Sequence, residues 1–183
     1  MKIRPDDQWR WYFDSEHSRV MLDLANGMVF RSRFSAKMLT DYAITMEEMP
    51  FSVDDAALYY AFEEHFRCIN IASELRAELA LNGVVAFRFM KPQMPKSWYF
   101  SSFSVMTKPE QGEIVQVRLQ DCGTEVLFMV AEVGDSASLC LLAQQKLELN
   151  DRVMNFCDPI KIMNDRLIPY TEPTRETIYG RAI

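Results

Sequence analysis

The chain has 183 residues, of which 49% are apolar, enough to fold a core in one sizeable domain or two small ones. Its formal net charge of −6 and pI of about 5.0 give a global field that repels polyanions, so contact with DNA or RNA requires a local basic patch. The longest uncharged apolar runs fall short of the roughly 20 residues of a membrane span, and MKIRPDDQWRW at the start lacks an apolar signal segment, so a cytoplasmic protein without a membrane partner is expected.

The first forty residues alternate with a period of two. Trp9, Trp11 and Phe13 are followed by a polar break at residues 14–18 and then by Val20, Leu22 and Leu24. Asn26-Gly27 is a strong hairpin signal, because both residues tolerate the positive φ of a type I′ turn. A two-residue loop there sets Leu22 opposite Arg31 and Val20 opposite Arg33, a face half aliphatic and half basic. Such a face is unsuited to a core. Either a bulge shifts the register, or the arginine pair is simply solvated, or the end at Arg31 and Arg33 is a contact site, with Leu22 on the same face.

From Ser52 the period changes. Ser52-Val53-Asp54-Asp55 is a variant capping box with both carboxylates in the first helical turn, where they favour the dipole. The spacing predicts a helix with Leu58, Phe62, Phe66 and Ile69 on one stripe and Glu63, Glu64 and Arg67 outside it. A second helix begins near Ser73 and is apolar around most of its circumference from Leu79 to Met90, which predicts that it lies against a sheet. Residues 1–90 thus form an α/β half, a β-meander plus two helices.

KPQMPKSW, residues 91–98, then stops the helix near Met90, since Pro92 and Pro95 lack the amide hydrogen and press Lys91 and Met94 toward extended backbone. It also sets Lys91 and Lys96 beside Met94 and Trp98, the composition of a cationic rim around an apolar patch. A linker with solvated lysines fits the same residues.

Beyond Trp98, residues 98–103, 113–120, 125–133, 138–143 and 159–163 read as short strands punctuated by Gly112, Gly123, Gly134, Asn150-Asp151 and Asn164-Asp165. Residues 91–183 therefore suggest a small antiparallel barrel or sandwich, making the whole chain α+β, with 91–97 as junction and a loose tail from about residue 170.

Chemistry is sparse in the pattern. His17 falls in an expected turn and His65 on a helix rim, while Asp54-Asp55 is explained by capping. The six glycines include neither a Gly-x-Gly-x-x-Gly nor a Gly-Lys-[Ser/Thr] phosphate cradle. Cys68, Cys122, Cys140 and Cys157 lack metal-ligand spacing, so buried free thiols are expected and neither metal nor cofactor is implied.

Six phrases carry a resemblance: RPDDQWRWYFD at residues 4–14, MLDLANGMVFRSRF at 21–34, VDDAALYYAFEE at 53–64, KPQMPKSW at 91–98, LCLLAQ at 139–144 and IKIMNDRL at 160–167. Together they resemble the ZapC family of bacterial cell division proteins. Residues 41–50, 106–112, 145–157 and those after Pro169 carry no part of the likeness. The resemblance implies an N-terminal α/β domain joined to a C-terminal twisted, antiparallel β-barrel-like domain. It implies a cytoplasmic, non-enzymatic accessory of the mid-cell division ring, without cofactor, that binds the tubulin-like GTPase FtsZ, stabilises and bundles its protofilaments and suppresses its GTPase activity.

FtsZ proteins typically end in a disordered linker and a short, partly apolar tail, the kind of segment captured by an apolar pocket with a charged rim. Lys91, Lys96, Met94 and Trp98 fit such a rim, and Arg166 closes it if the final strand packs nearby. A monomer with two unlike contacts is expected, the second at Arg31 and Arg33, since no heptad or other dimerisation helix is visible. Two further readings stand beside this one. The first is a small-ligand enzyme whose site is assembled from distant residues. The second is a single-strand nucleic-acid module stacking bases on Trp98, Tyr99, Phe100 and Phe103; alternation there puts Trp98 and Phe100 on one face and Tyr99 on the other, so core packing accounts for most of those rings.

Overall fold

The computed structural model describes residues 3–104 and 108–171, which contain three helices and eleven strands. Strands β1 (Arg10–Asp14) and β2 (Arg19–Asp23) pair antiparallel with Trp11 opposite Leu22, and β3 (Val29–Arg31) joins with Phe30 opposite Leu22. The register differs by one residue from that of a two-residue turn. Leu24 N–H donates to Met28 O at 3.0 Å, closing a loop over residues 25–27 in which Ala25 and Gly27 take φ of +63° and +87°. Neighbouring side chains hold this longer loop: Asp23 Oδ1 accepts from Ala25 N–H at 2.9 Å and Asn26 Oδ1 from Met28 N–H at 3.0 Å. Because side chains alternate, the one-residue shift removes Arg31 from Leu22 and restores an apolar pair.

Two short elements follow that residues 36–50 are too brief to announce by period, α1 (Asp41–Thr45), capped by Thr40, and β4 (Met49–Pro50). The latter pairs with β1 and completes a sheet of order β3-β2-β1-β4.

Helix α2 (Val53–His65) opens on the expected capping box, Ser52 Oγ accepting from Asp55 N–H at 3.1 Å and Asp55 Oδ2 from Ser52 N–H at 2.9 Å. It buries Tyr59 and Phe62, and the following 3-10 turn adds Phe66, whereas Leu58 is only partly covered. Asp55 does more than cap. Its carboxylate is 2% exposed and also accepts from Trp11 Nε1–H at 3.0 Å on β1 and from Arg88 Nη1–H at 2.8 and 3.0 Å.

Arg88 stands near the end of α3 (Ser73–Phe89), with its guanidinium 4.8 Å from the Phe89 ring centroid. Residues 79–86 of that helix are all buried, so it is enclosed on every side, as its apolar circumference predicts. One wall is the N-terminal sheet with α2; the other is the second sheet.

That second sheet is built from β5 (Ile114–Arg118), β6 (Glu125–Glu132), β7 (Ala137–Leu142), then, after a separate hairpin of β8 (Lys146–Glu148) and β9 (Val153–Asn155), from β10 (Pro159–Met163) and β11 (Ile168–Pro169). Its order is β10-β7-β6-β5-β11, antiparallel throughout, with an irregularity between Val130 and Glu132. It is strongly curled, for residues 164–167 suffice to carry the chain from the edge at β10 to the edge at β11. The curl is barrel-like, though β10 and β11 remain the two ends of the ladder.

Both faces are covered along β6 and β7, which is why these two strands read as continuous apolar runs. Phe128 and Val130 point into a core with Phe100, Val117, Cys140 and Ile162; Met129 and Ala131 point the other way, into a core shared with Trp11, Phe62 and Phe89. Gly83 on α3 marks the seam. A Cβ there would lie 2.7 Å from a Phe62 ring atom and 2.9 Å from Met129 Cε.

Some expectations are corrected. Residues 98–103 form no strand: Ser97–Tyr99 is a 3-10 turn, and only Phe100 bridges to Leu119. Ser97 Oγ accepts from Met163 N–H at 2.8 Å, and this tie turns the chain before it can pair. Cys140 and Cys157 are buried free thiols, but Cys68 is half-buried and Cys122 exposed. Tyr170 is docked rather than loose, its N–H bonded to Ile114 O at 3.0 Å and its ring against the shared core. Residues 172–183, the rest of the expected tail, lie outside the described residues.

Two outcomes follow. Gly83→Ala gains roughly 1 kcal/mol in helix propensity but overpacks the seam at a cost of about 1–3 kcal/mol, so a lower Tm in a thermal melt is expected. Arg88→Met leaves a buried carboxylate without its cation, and urea titration should show a loss of about 3 kcal/mol. Adding Asp55→Asn to that variant should recover part of it, because no charge is then left unpaired.

Candidate functional site

The junction segment is pinned at both ends. Lys91 N–H donates to Met38 O at 2.9 Å, and Lys96 N–H donates to Lys161 O at 2.9 Å where Pro95 forms a parallel bridge to β10. Pro92 and Pro95 need no amide partner and restrict the backbone between these anchors. The side chains between them therefore project. Met94 is 80% exposed, and Lys91 and Lys96 are exposed and form no ion pair among the described residues. Lys91 and Lys161 share a small groove of about 100 Å³ with Glu132 and Leu139. Lys91, Met94 and Lys96 are thus three exposed side chains within six residues of anchored backbone.

Trp98 and Arg166 are placed differently. Trp98 is 59% exposed, but it lines a separate groove of about 380 Å³ with Tyr99, Asp121, Glu148 and Asp151, so its immediate surroundings are acidic. Arg166 sits in the 3-10 turn after β10 with most of its side chain covered, its Nη1 ion-paired to Asp165 and its Nε buried with no partner among the described residues. Phe103 N–H bonds Asp165 O at 2.8 Å, so this turn does pack against the segment that continues from Trp98. The charge of Arg166 is nevertheless matched by its neighbour rather than left free at the rim.

In the N-terminal sheet, Leu22 is wholly buried between Trp11 and Phe30. It offers no surface for contact; its role is to hold the sheet. Arg31 is exposed and unpaired among the described residues, while Arg33 forms an ion pair with Glu78 at 3.1 Å and its N–H donates to Asn82 Oδ1 at 2.9 Å. Ser32 and Phe34 between and beyond them turn inward. Met28 and Val29, 47% and 49% exposed, lie next to this pair and were not singled out by the sequence pattern. The shifted hairpin register is what brings Val29 to the surface.

Asp55, Arg88 and the two histidines have structural partners. A groove of about 540 Å³ runs beside α2 and α3 past Leu58, Phe87, Arg88 and Asp55, but the last two are committed to each other. His65 Nδ1 lies 2.8 Å from Ala61 O. His17 Nδ1 is 2.5 Å from Asp14 Oδ2, and this bond holds the Asp14 carboxyl below its usual range. With Glu16 these two are the ligand-capable cluster found among the described residues, Asp14 half-buried at the end of β1 and Glu16 and His17 exposed in the turn that follows. No described helix is long and apolar enough to cross a membrane.

The chain matches the family model described as "Cell-division protein ZapC, N-terminal" over residues 2–91 and that described as "Cell-division protein ZapC, C-terminal" over residues 92–173. A protein of Xenorhabdus bovienii (strain SS-2004) named Cell division protein ZapC is 97% identical over 183 residues, covering 100% of both chains. One of the same name from Proteus mirabilis (strain HI4320) is 56% identical, again over 100% of each. A more distant one from Vibrio cholerae is 36% identical over 167 residues, 90% of this chain and 91% of its own. The six sequence phrases, the mixed helix-and-sheet architecture and these full-length likenesses agree: the chain belongs to the ZapC family of cell division proteins.

Proposed function

We propose that this cell division protein is a cytoplasmic, non-enzymatic accessory of the mid-cell ring that binds FtsZ, stabilises and bundles its protofilaments and lowers their GTPase activity. The observation that carries the reading is Met94, exposed on a backbone anchored at Lys91 and Lys96, two exposed lysines that form no ion pair among the described residues. A segment already held in one conformation loses little entropy when a partner closes over it. The lysines attract an acidic or partly apolar tail, and Met94 adapts to its shape.

Bundling adds a requirement. A single monovalent contact decorates a polymer but cannot link two, so a monomer needs a second surface. Arg31, Met28 and Val29 at the open edge of the N-terminal sheet supply one of similar chemistry, with one contact in residues 1–90 and the other in 91–183. Leu22 supports that edge from below.

Lys91→Asp and Lys96→Asp should each weaken co-sedimentation with FtsZ polymers while leaving the circular dichroism and Tm unchanged, most visibly at low salt, where rim charges act on association rate. Equal pelleting by these variants would refute the rim. Arg166→Asp should behave otherwise, since it removes the cation from Asp165 and lowers Tm along with binding. Repeating the assay with FtsZ lacking its C-terminal tail identifies the surface bound.

For bundling, reversing Lys91 and Lys96 together, or Arg31 and Arg33 together, should abolish light scattering by bundles yet leave measurable binding. Disabling both patches should remove binding as well. A single-patch variant that still bundles fully, or a stable dimer in sedimentation equilibrium, would favour self-association over two contacts.

A further inference from the structure

The groove beside Trp98 has a lining of the opposite charge to Lys91 and Lys96. Trp9 and Trp11 are buried, at 3% and 0% exposure, whereas Trp98 is 59% exposed. Leaving the largest apolar side chain in water forgoes several kcal/mol of burial on the order of 25 cal/mol per Å². Its ring is not loose: it lies 5.3 Å from that of Tyr99 at an interplanar angle of 41°. Tyr99 in turn donates its hydroxyl to Asp151 Oδ1 at 2.6 Å, at the tip between β8 and β9. Trp98 and Tyr99 thus form a braced aromatic wall.

The groove along that wall has a volume of about 380 Å³, with Leu119 and Leu149 supplying apolar lining and Asp121, Glu148 and Asp151 the charge. Two cations temper this charge. Lys146 Nζ pairs with Glu148 at 3.2 Å, and Arg152 lies close enough to Tyr99 to act on its hydroxyl. Asp121 is exposed with no ion pair among the described residues, and Asp151 is bonded only to a neutral hydroxyl in that set. The net field is negative, beside an exposed indole face.

We propose that this groove is a docking site for an arginine side chain carried on a peptide segment of a partner protein. The chemistry selects this occupant. A guanidinium stacks flat on an indole and is weakly hydrated, so it gains from the ring while its N–H groups meet carboxylates. The leucines favour apolar residues flanking the arginine. Phosphate-bearing partners are repelled by the three carboxylates. Small quaternary ammonium ions do best in cages with several aromatic faces, and this wall has one side only. The site holds whether or not the partner is FtsZ, for it depends on neither Lys91 nor Lys96.

Trp98 reports its own occupancy, since acrylamide quenching of intrinsic fluorescence reaches it and not the two buried tryptophans. The probe is the peptide acetyl-Gly-Leu-Arg-Leu-Gly-amide, added to the full chain at low salt. It should shield Trp98 from acrylamide in a saturable way that weakens with added salt. The same peptide with neutral citrulline in place of arginine should bind about tenfold more weakly. The variant Asp121→Asn/Glu148→Gln, both positions being exposed, should keep its circular dichroism and lose about tenfold in affinity for the arginine peptide. No shielding by the arginine peptide at millimolar concentration, equal shielding by the citrulline peptide, or unchanged affinity in the variant would each overturn the assignment. Shielding by tetramethylammonium chloride at the same concentration, or by oligothymidine, would overturn it in favour of a small cation or a nucleic acid.

Discussion

A carboxylate kept away from water needs donors on all sides, and Asp55 draws them from three separate elements. The Ser52 amide comes from the start of α2, the indole of Trp11 from β1 and the guanidinium of Arg88 from the end of α3. Burial makes each donor obligatory, so the three elements can assemble in few ways. The contribution is to position more than to net stability. With α3 fixed at its C-terminal end, Gly83 falls where Phe62 and Met129 can meet across it, and the second sheet packs onto the helix. The same constraint decides where the chain leaves α3, and hence where Lys91 begins the exposed segment.

The elements legible in the sequence are those whose physics is local or uniform. Ser52 and Asp55 sit at capping-box spacing, and α3 announces its enclosure by being apolar all round. The strands β6 and β7 show as apolar runs because neighbours cover both their faces, and β10 shows by its alternation. Other features depend on partners far along the chain. Capping accounts for Asp55 so completely that nothing in the sequence points to Trp11 or Arg88. Asn26-Gly27 reads as a two-residue turn, but Asp23 and Asn26 accept loop amides and favour one residue more. The strands β8 and β9 have three residues each, with one buried position apiece, too few for a period to appear.

The same division runs through the site. Lys91, Met94 and Lys96 were legible as an exposed group because two prolines within eight residues forbid both helix and central strand. Leu22 read as part of a contact face only through a register that the hairpin does not adopt. Arg166 read as a residue that could close the rim, because the turn that presents its side chain to Asp165, the adjacent residue, is not visible in one dimension. The surroundings of Trp98 were illegible for a deeper reason: Asp121 comes from the turn between β5 and β6, while Glu148 and Asp151 come from the β8–β9 hairpin.

The curl of the second sheet also bears on how the molecule behaves in a crowd. Sheet edges with vacant amides and carbonyls recruit strands from other chains. Here Pro95 and Lys96 lie along the outer side of β10, and β11 is two residues long and ends in Pro169, which has no amide to offer. Templated growth, strand by strand, is denied at both ends of that ladder. Copies gathered at high local density along a polymer can touch through side chains and let go again, without seeding a fibre of their own.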